Sequence, residues 1–271
     1  MMPPYHALLA LPLVAALLPG SVSGQTKAAD DKLAAGEFFA GKDPRQRYFF
    51  HAAKAKKAPK DGYKLLLVLP GGDGSADFAP FVKRIWKHAA PDDFVVVQLV
   101  AHQWNAKQAK QVVWPTASSR KGLKGVKFTT ESFIANVVKD VDSRISLNTA
   151  HIYALGWSSS GPACYAALLA KDSPLAGAYV AMSVFHAPGA RALKRAKGKR
   201  VFLLHSPEDW VKIRFAETAK KRLAQHGATT TLLTYAGGHG WHGDVYGNLR
   251  KGLDWIVGDR PAAKKNAKRK K

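Results

Sequence analysis

Residues 151–170 read "HIYALGWSSSGPACYAALLA", an apolar run, three serines between glycines, and a second apolar run rich in alanine and leucine. The first run has the composition of a buried strand, and the second that of a helix packed against the same sheet. A strand that passes into a helix through a sharp Ser-bearing turn can hold a hydroxyl up at the end of a sheet. Close strand–helix packing then requires small residues two before and two after that serine. Ser158 has Gly156 before it and Ser160 after it, whereas Ser159 has Trp157 and Gly161. An indole at the packing point is a far larger conflict than a hydroxymethyl group, so Ser158 is the candidate nucleophile.

Outward from this turn the chain alternates strand and helix. "YKLLLVLP" (63–70) and "DFVVVQLVA" (93–101) are near-continuous apolar runs, as strands buried on both faces require. Helical spacing of apolar residues marks 78–90 and 130–146, and "RYFFH" (47–51) reads as the first edge strand. After the serines, a helix over 161–171 and strands over 175–183, 200–206 and 229–236 are expected, with helices over 212–226 and 244–257. The pattern predicts an α/β fold with a mostly parallel sheet and helices on both faces. Residues 102–129, with Trp104, Trp114 and a basic Gly-rich run, break the rhythm and read as a long loop.

Ligand sites in such sheets lie beyond the carboxyl ends of the strands. A serine there needs a base within hydrogen-bond reach and a third group to orient that base. "HSPEDW" (205–210) follows one strand and offers Asp209, with Glu208 as its neighbour and competitor. "GGHGWH" (237–242) follows the next and offers a glycine-flanked His239, with His242 the competitor. The order Ser158, Asp209, His239 is the nucleophile–acid–base order expected on this kind of sheet. Backbone N–H groups to receive a developing oxyanion would come from Ser159 and from Gly72 or Asp73 in "PGGDG" (70–74). Trp104, Trp114 and Trp157 are candidates for a substrate pocket, with core packing the plain alternative for each.

Together, "LPGGDG", "GWSSSG", "HSPEDW" and "GGHGW" resemble the oxyanion loop, nucleophile turn, acid turn and histidine loop of an α/β-hydrolase of the esterase, phospholipase–carboxylesterase and dienelactone-hydrolase type. The resemblance covers about residues 47–257 and departs from the family at Ser160, where glycine is usual. It implies a single-domain α/β-hydrolase sandwich and a serine hydrolase that cleaves carboxylic esters through an acyl-enzyme, with no cofactor. The other class of function to be weighed is an α/β-hydrolase-like binding protein without catalysis, attached to an anionic surface.

Composition narrows the rest. The 271 residues suffice for one full core, and 42 Lys+Arg against 19 Asp+Glu leave a net charge of +23. Such charge favours anionic surfaces or substrates without specifying chemistry. No basic helix or aromatic-interleaved strand suggests a specific nucleic-acid reader. "ALLALPLVAALLP" (7–19), followed by small residues with Val22 and Gly24 before Gln25, reads as a signal peptide over 1–24, so export to a periplasmic or extracellular location is expected. Residues 25–45 read as a linker into a domain spanning 46–258, and 259–271, with six Lys or Arg, as a basic disordered tail suited to an anionic surface.

Other motifs point to less. Cys164, the sole cysteine, excludes an internal disulfide and reads as a small buried apolar residue. His239 and His242 lack a carboxylate partner at metal-ligand spacing, so no metal is expected. "GGDG" lacks the Lys-Ser/Thr of a phosphate-binding loop.

Overall fold

The computed structural model describes residues 33–258, all within one compact unit. The signal peptide expected over 1–24 and the tail expected over 259–271 lie outside the described residues.

Eight strands form one sheet: β1 (Gly36–Phe39), β2 (Arg47–His51), β3 (Tyr63–Leu69), β4 (Phe94–Leu99), β5 (Leu147–Trp157), β6 (Gly177–Ala181), β7 (Arg200–His205) and β8 (Thr229–Thr234). Their spatial order is β1-β2-β4-β3-β5-β6-β7-β8. The β1–β2 and β2–β4 pairs are antiparallel, and every pairing from β4 through β8 is parallel. The helices are α1 (Ala79–His88), α2 (Ala106–Gln111), α3 (Thr130–Arg144), α4 (Gly161–Leu168), α5 (Ala190–Leu193), α6 (Arg214–Ala224) and α7 (Val245–Val257).

The alternation of β3 side chains shows why both faces must be covered. Leu65, Leu67 and Leu69 point into a core shared with Phe133, Ile134 and Val137 of α3, and with residues of α4 and α6. Leu66 and Val68 point the other way, into a core shared with Val82 and Ile85 of α1 and Leu249 and Leu253 of α7. All five β3 residues are fully buried. At roughly 25 cal/mol per Å² of apolar surface removed from water, a strand apolar on both faces is stable only between two helical layers.

The helices are capped as their sequences allow. Thr129 accepts the Ser132 N–H and Ser132 accepts the Thr129 N–H, a reciprocal cap that starts α3. Asn105 caps α2 by accepting the Gln108 N–H at 2.9 Å.

The first structured element corrects the domain boundary. β1 falls inside the stretch expected to be a linker, and it, not β2, forms the edge of the sheet. Its four residues are too few for a legible alternation. It is held instead by contacts to the next strand, β2, with Phe38 stacked on Tyr48 at 5.6 Å and Glu37 paired with Arg47 at 2.8 Å. Helix α2 likewise occupies part of the expected loop. "AKQAKQ" has no apolar face to announce it, and its buried residue is the polar Gln108. The short helix α5 is not expected from the sequence either; the remaining strands and helices match the sequence reading to within a few residues at their ends.

Candidate functional site

Because β3 through β8 run parallel, the turns that leave β3, β5, β7 and β8 gather at one end of the sheet. Strand β5 ends at Trp157, and the next residue, Ser158, turns sharply with φ of 53°. This is the left-handed region that non-glycine residues seldom enter, and its strain costs on the order of 1 kcal/mol or more. The turn is held from several sides. A Cβ on Gly156 would lie 2.4 Å from the Cys164 sulfur, and one on Gly161 would lie 2.0 Å from Ser183 Oγ. Glycine at both positions lets α4 lie against the sheet and sets the angle at which the chain leaves β5. Ser183 Oγ donates to the Ser158 carbonyl at 2.6 Å, a support that the sequence did not reveal.

Ser160 fits the packing point. Its side chain is fully buried, donates to the Leu69 carbonyl at 2.6 Å and accepts the Trp157 N–H at 2.8 Å. A hydroxyl in the position where glycine is usual thus ties the turn to the end of β3. Cys164 stands directly behind it, fully buried, and burial pushes its thiol up to about 12, which leaves it unreactive at neutral pH.

The structure brings together the three side chains expected to act together. Ser158 Oγ lies 2.9 Å from His239 Nε2, and His239 Nδ1 lies 2.9 Å from both Oδ1 and Oδ2 of Asp209. An ionised carboxylate can only accept, so Nδ1 carries the proton donated to Asp209 and Nε2 is left to accept from the serine hydroxyl. Asp209 is 2 % exposed and also accepts the Val211 N–H at 2.7 Å. Buried His205 donates from Nε2 to the Val211 carbonyl at 2.7 Å, fixing the same turn.

The competing residues sit elsewhere. Glu208 accepts the Gly237 N–H at 3.0 Å, where it holds the start of the histidine loop. His242 stacks on Tyr235, whose hydroxyl donates to the Gly240 carbonyl at 2.7 Å. Both clamp the loop that carries His239.

The two segments expected to receive an oxyanion are joined, since Ser159 Oγ donates to the Gly72 carbonyl at 2.7 Å. Ser159 also lies in the first turn leading into α4, where backbone N–H groups have no partner within the helix. The Asp73 carboxylate is turned away to accept the Ser75 N–H at 3.0 Å.

The tryptophan expectations need correction. Trp114 is 3 % exposed and donates its indole N–H to the Pro70 carbonyl, and Trp157 is 5 % exposed and packs edge-on against Phe78 and Phe81. Both are core residues rather than open pocket walls. Trp104, half-buried, packs against His102 and Phe128 with Arg45 over its ring. The aromatic residue nearest the histidine is one that the sequence reading passed over. Trp210 lies with its ring centroid 4.7 Å from that of His239. Among the described residues, no group of three or more His, Cys, Asp or Glu could hold a metal ion, and no helix is long and apolar enough to cross a membrane.

No protein-family model matches the chain, and neither does any curated protein sequence. Solved structures do match. A carboxylesterase from Mesorhizobium loti superimposes with a TM-score of 0.55 at 15% identity over 83% of this chain and 99% of its own. A Bacillus cereus carboxylesterase gives 0.55 at 18% over 78% and 92%. The Staphylococcus aureus fluorophosphonate-binding serine hydrolase FphF gives 0.58 at 12% over 83% and 98%. With the strand order and the helical layers already described, these similarities establish that the chain has the α/β-hydrolase fold.

Proposed function

We propose that the chain is a serine hydrolase that cleaves carboxylic esters, with Ser158 as nucleophile, His239 as general base and acid, and Asp209 as the group that orients and stabilises His239. The observation that carries this reading is the continuous hydrogen-bonded line from Ser158 Oγ through the imidazole to the buried Asp209. Ser158 Oγ attacks the ester carbonyl while its proton passes to His239 Nε2, and the carbonyl oxygen becomes an oxyanion. The Ser159 N–H and the backbone N–H of Gly72 or Asp73 stabilise that charge. The tetrahedral intermediate then collapses, the carbon–oxygen bond to the alcohol breaks, and His239 returns its proton to the leaving alkoxide. A water molecule, deprotonated by the same nitrogen, releases the acid and restores Ser158. The structural neighbours that are carboxylesterases and serine hydrolases support this reaction class.

The feature that favours the non-catalytic alternative is Ser160, in the position where glycine is usual. Its buried, hydrogen-bonded hydroxyl removes the objection that the turn could not pack. The reading is tested with a fluorophosphonate probe, peptide mapping and a panel of p-nitrophenyl acyl esters. Labelling on Ser158 and ester turnover that disappears in Ser158→Ala are expected. Folded protein that is neither labelled nor active on any ester refutes the proposal, and labelling on Ser159 refutes the assignment of the nucleophile.

A further inference from the structure

Trp210 is 70 % exposed, the more exposed of the two large hydrophobic side chains that face solvent among the described residues; the other is Phe39 at the sheet edge. A single exposed apolar residue is ordinary on a protein surface. What distinguishes Trp210 is its place. It follows Asp209 directly, and its ring lies 4.7 Å from the His239 ring at an angle of 43°. It also sits on a fixed backbone. The Asp209 N–H donates to the Ser206 carbonyl, the Val211 N–H donates to Asp209, and the Val211 carbonyl accepts from His205. The indole stands beside the imidazole, open to solvent, on a backbone that is held in place.

In ester cleavage the atom nearest His239 Nε2, after Ser158, is the leaving oxygen, because that nitrogen must protonate it. Whatever group is bonded to the leaving oxygen lies within a few ångströms of the imidazole and so beside its aromatic neighbour. The oxyanion segment lies elsewhere in the site. Gly72 there borders Phe78, since a Cβ on Gly72 would come 3.2 Å from that ring. The two aromatic residues thus stand beside different parts of the site.

We propose that Trp210 is a specificity-determining residue that stacks on the alcohol portion of the substrate and selects esters whose alcohol carries a ring with an apolar face, either aryl or saccharide. The proposal rests on the hydrolase reading above. Rings with an apolar face gain from an indole because it is a large, flat apolar surface with only two side-chain torsions to order on contact. A short acyclic alcohol offers no such face.

The test compares esters of equal acyl group. Benzyl acetate and the 6-O-acetyl ester of methyl glucoside are each measured against ethyl acetate in the wild type, Trp210→Ala and Trp210→Phe, with fluorophosphonate labelling of Ser158 followed in parallel. The ratio of kcat/KM for a ring-bearing ester to that for ethyl acetate is expected to fall roughly three- to tenfold in Trp210→Ala and to recover in Trp210→Phe. The ester whose ratio falls identifies the ring as aryl or saccharide. If labelling of Ser158 persists while both ratios stay unchanged, or if all three esters fall in parallel, Trp210 does not select the alcohol and only this proposal is overturned. Wild-type protein that is neither labelled nor active overturns the hydrolase reading and this proposal with it.

Discussion

Asp209 and Glu208 are adjacent carboxylates, and their separate duties depend on which way each side chain leaves the turn. Asp209 is buried against His239 and Val211 N–H, while Glu208 reaches Gly237. Asp209→Asn keeps the shape but offers an amide where Nδ1–H needs an acceptor, so the wrong imidazole tautomer is favoured. Ester turnover is expected to fall by about 10⁴ in kcat, with Ser158 labelling slowed in proportion. Glu208→Ala removes one hydrogen bond to the histidine loop, worth about 1–2 kcal/mol, and is expected to cost activity at most tenfold. Equal losses in the two variants would contradict the assignment of roles. Ser160→Ala is a second residue-scale case. It strips the buried Leu69 carbonyl and Trp157 N–H of a partner, and about 1–3 kcal/mol of stability is expected to disappear in urea denaturation. The candidate residues themselves were legible because each falls in a turn at the end of a strand. The choice between the neighbouring Asp209 and Glu208 is not fixed by their place in the turn; it depends on which way each side chain leaves the backbone. The tryptophans were less legible, since aromatic residues in a loop carry no signature of burial: Trp114 is buried and Trp210 exposed, and nothing in their immediate sequence says so.

The turn of β5 into α4 shows what an element-scale constraint can do. Gly161 has no room for a Cβ because Ser183 fills the space, and Ser183 in turn holds the Ser158 carbonyl. Gly161→Ala must push β6 away from the turn or rotate Ser183 out of its hydrogen bond. Overpacking of this kind costs about 1–3 kcal/mol. The urea midpoint is expected to fall by that amount, and Ser158 labelling to slow because the strained φ is no longer held. Cys164 supplies an internal reporter of the same event. With its thiol pushed up to about 12 by burial, less thiolate is present in the folded state than in an unfolded chain at pH 8. A disulfide reagent should therefore react at the rate of opening, faster in Gly161→Ala than in the wild type. Rapid reaction of the native wild type would show that the helix does not seal this layer. The strands with long apolar runs and the amphipathic helices could be read in advance because burial on both faces leaves a continuous pattern. β1 and α2 could not, because their stability comes from Tyr48, Arg47 and the Asn105 cap rather than from any pattern of their own.

At the scale of the whole molecule, part of the net charge of +23 has a location. The segment 102–129 carries six basic residues, Lys107, Lys110, Arg120, Lys121, Lys124 and Lys127, and no acid. All six are exposed. This segment leaves the carboxyl end of β4, on the side of the sheet where Ser158 and His239 meet, and is tied to the strand β3 turn by Trp114 bonded to Pro70. A cavity of about 290 Å³ bordered by Lys107 and Lys124 opens within it. A cluster of like charges attracts anions, an effect screened over about 8 Å at physiological ionic strength. An ester with a free carboxylate, such as p-nitrophenyl hemisuccinate, should therefore lose kcat/KM relative to neutral p-nitrophenyl butyrate as salt rises. From about 20 mM to 500 mM NaCl the ratio is expected to drop on the order of threefold or more. Lys107→Gln with Lys124→Gln should flatten that dependence without altering the neutral ester, because neither residue touches the Ser158–His239–Asp209 line. A ratio that does not move with salt would mean that the basic segment serves solubility or a surface away from the site.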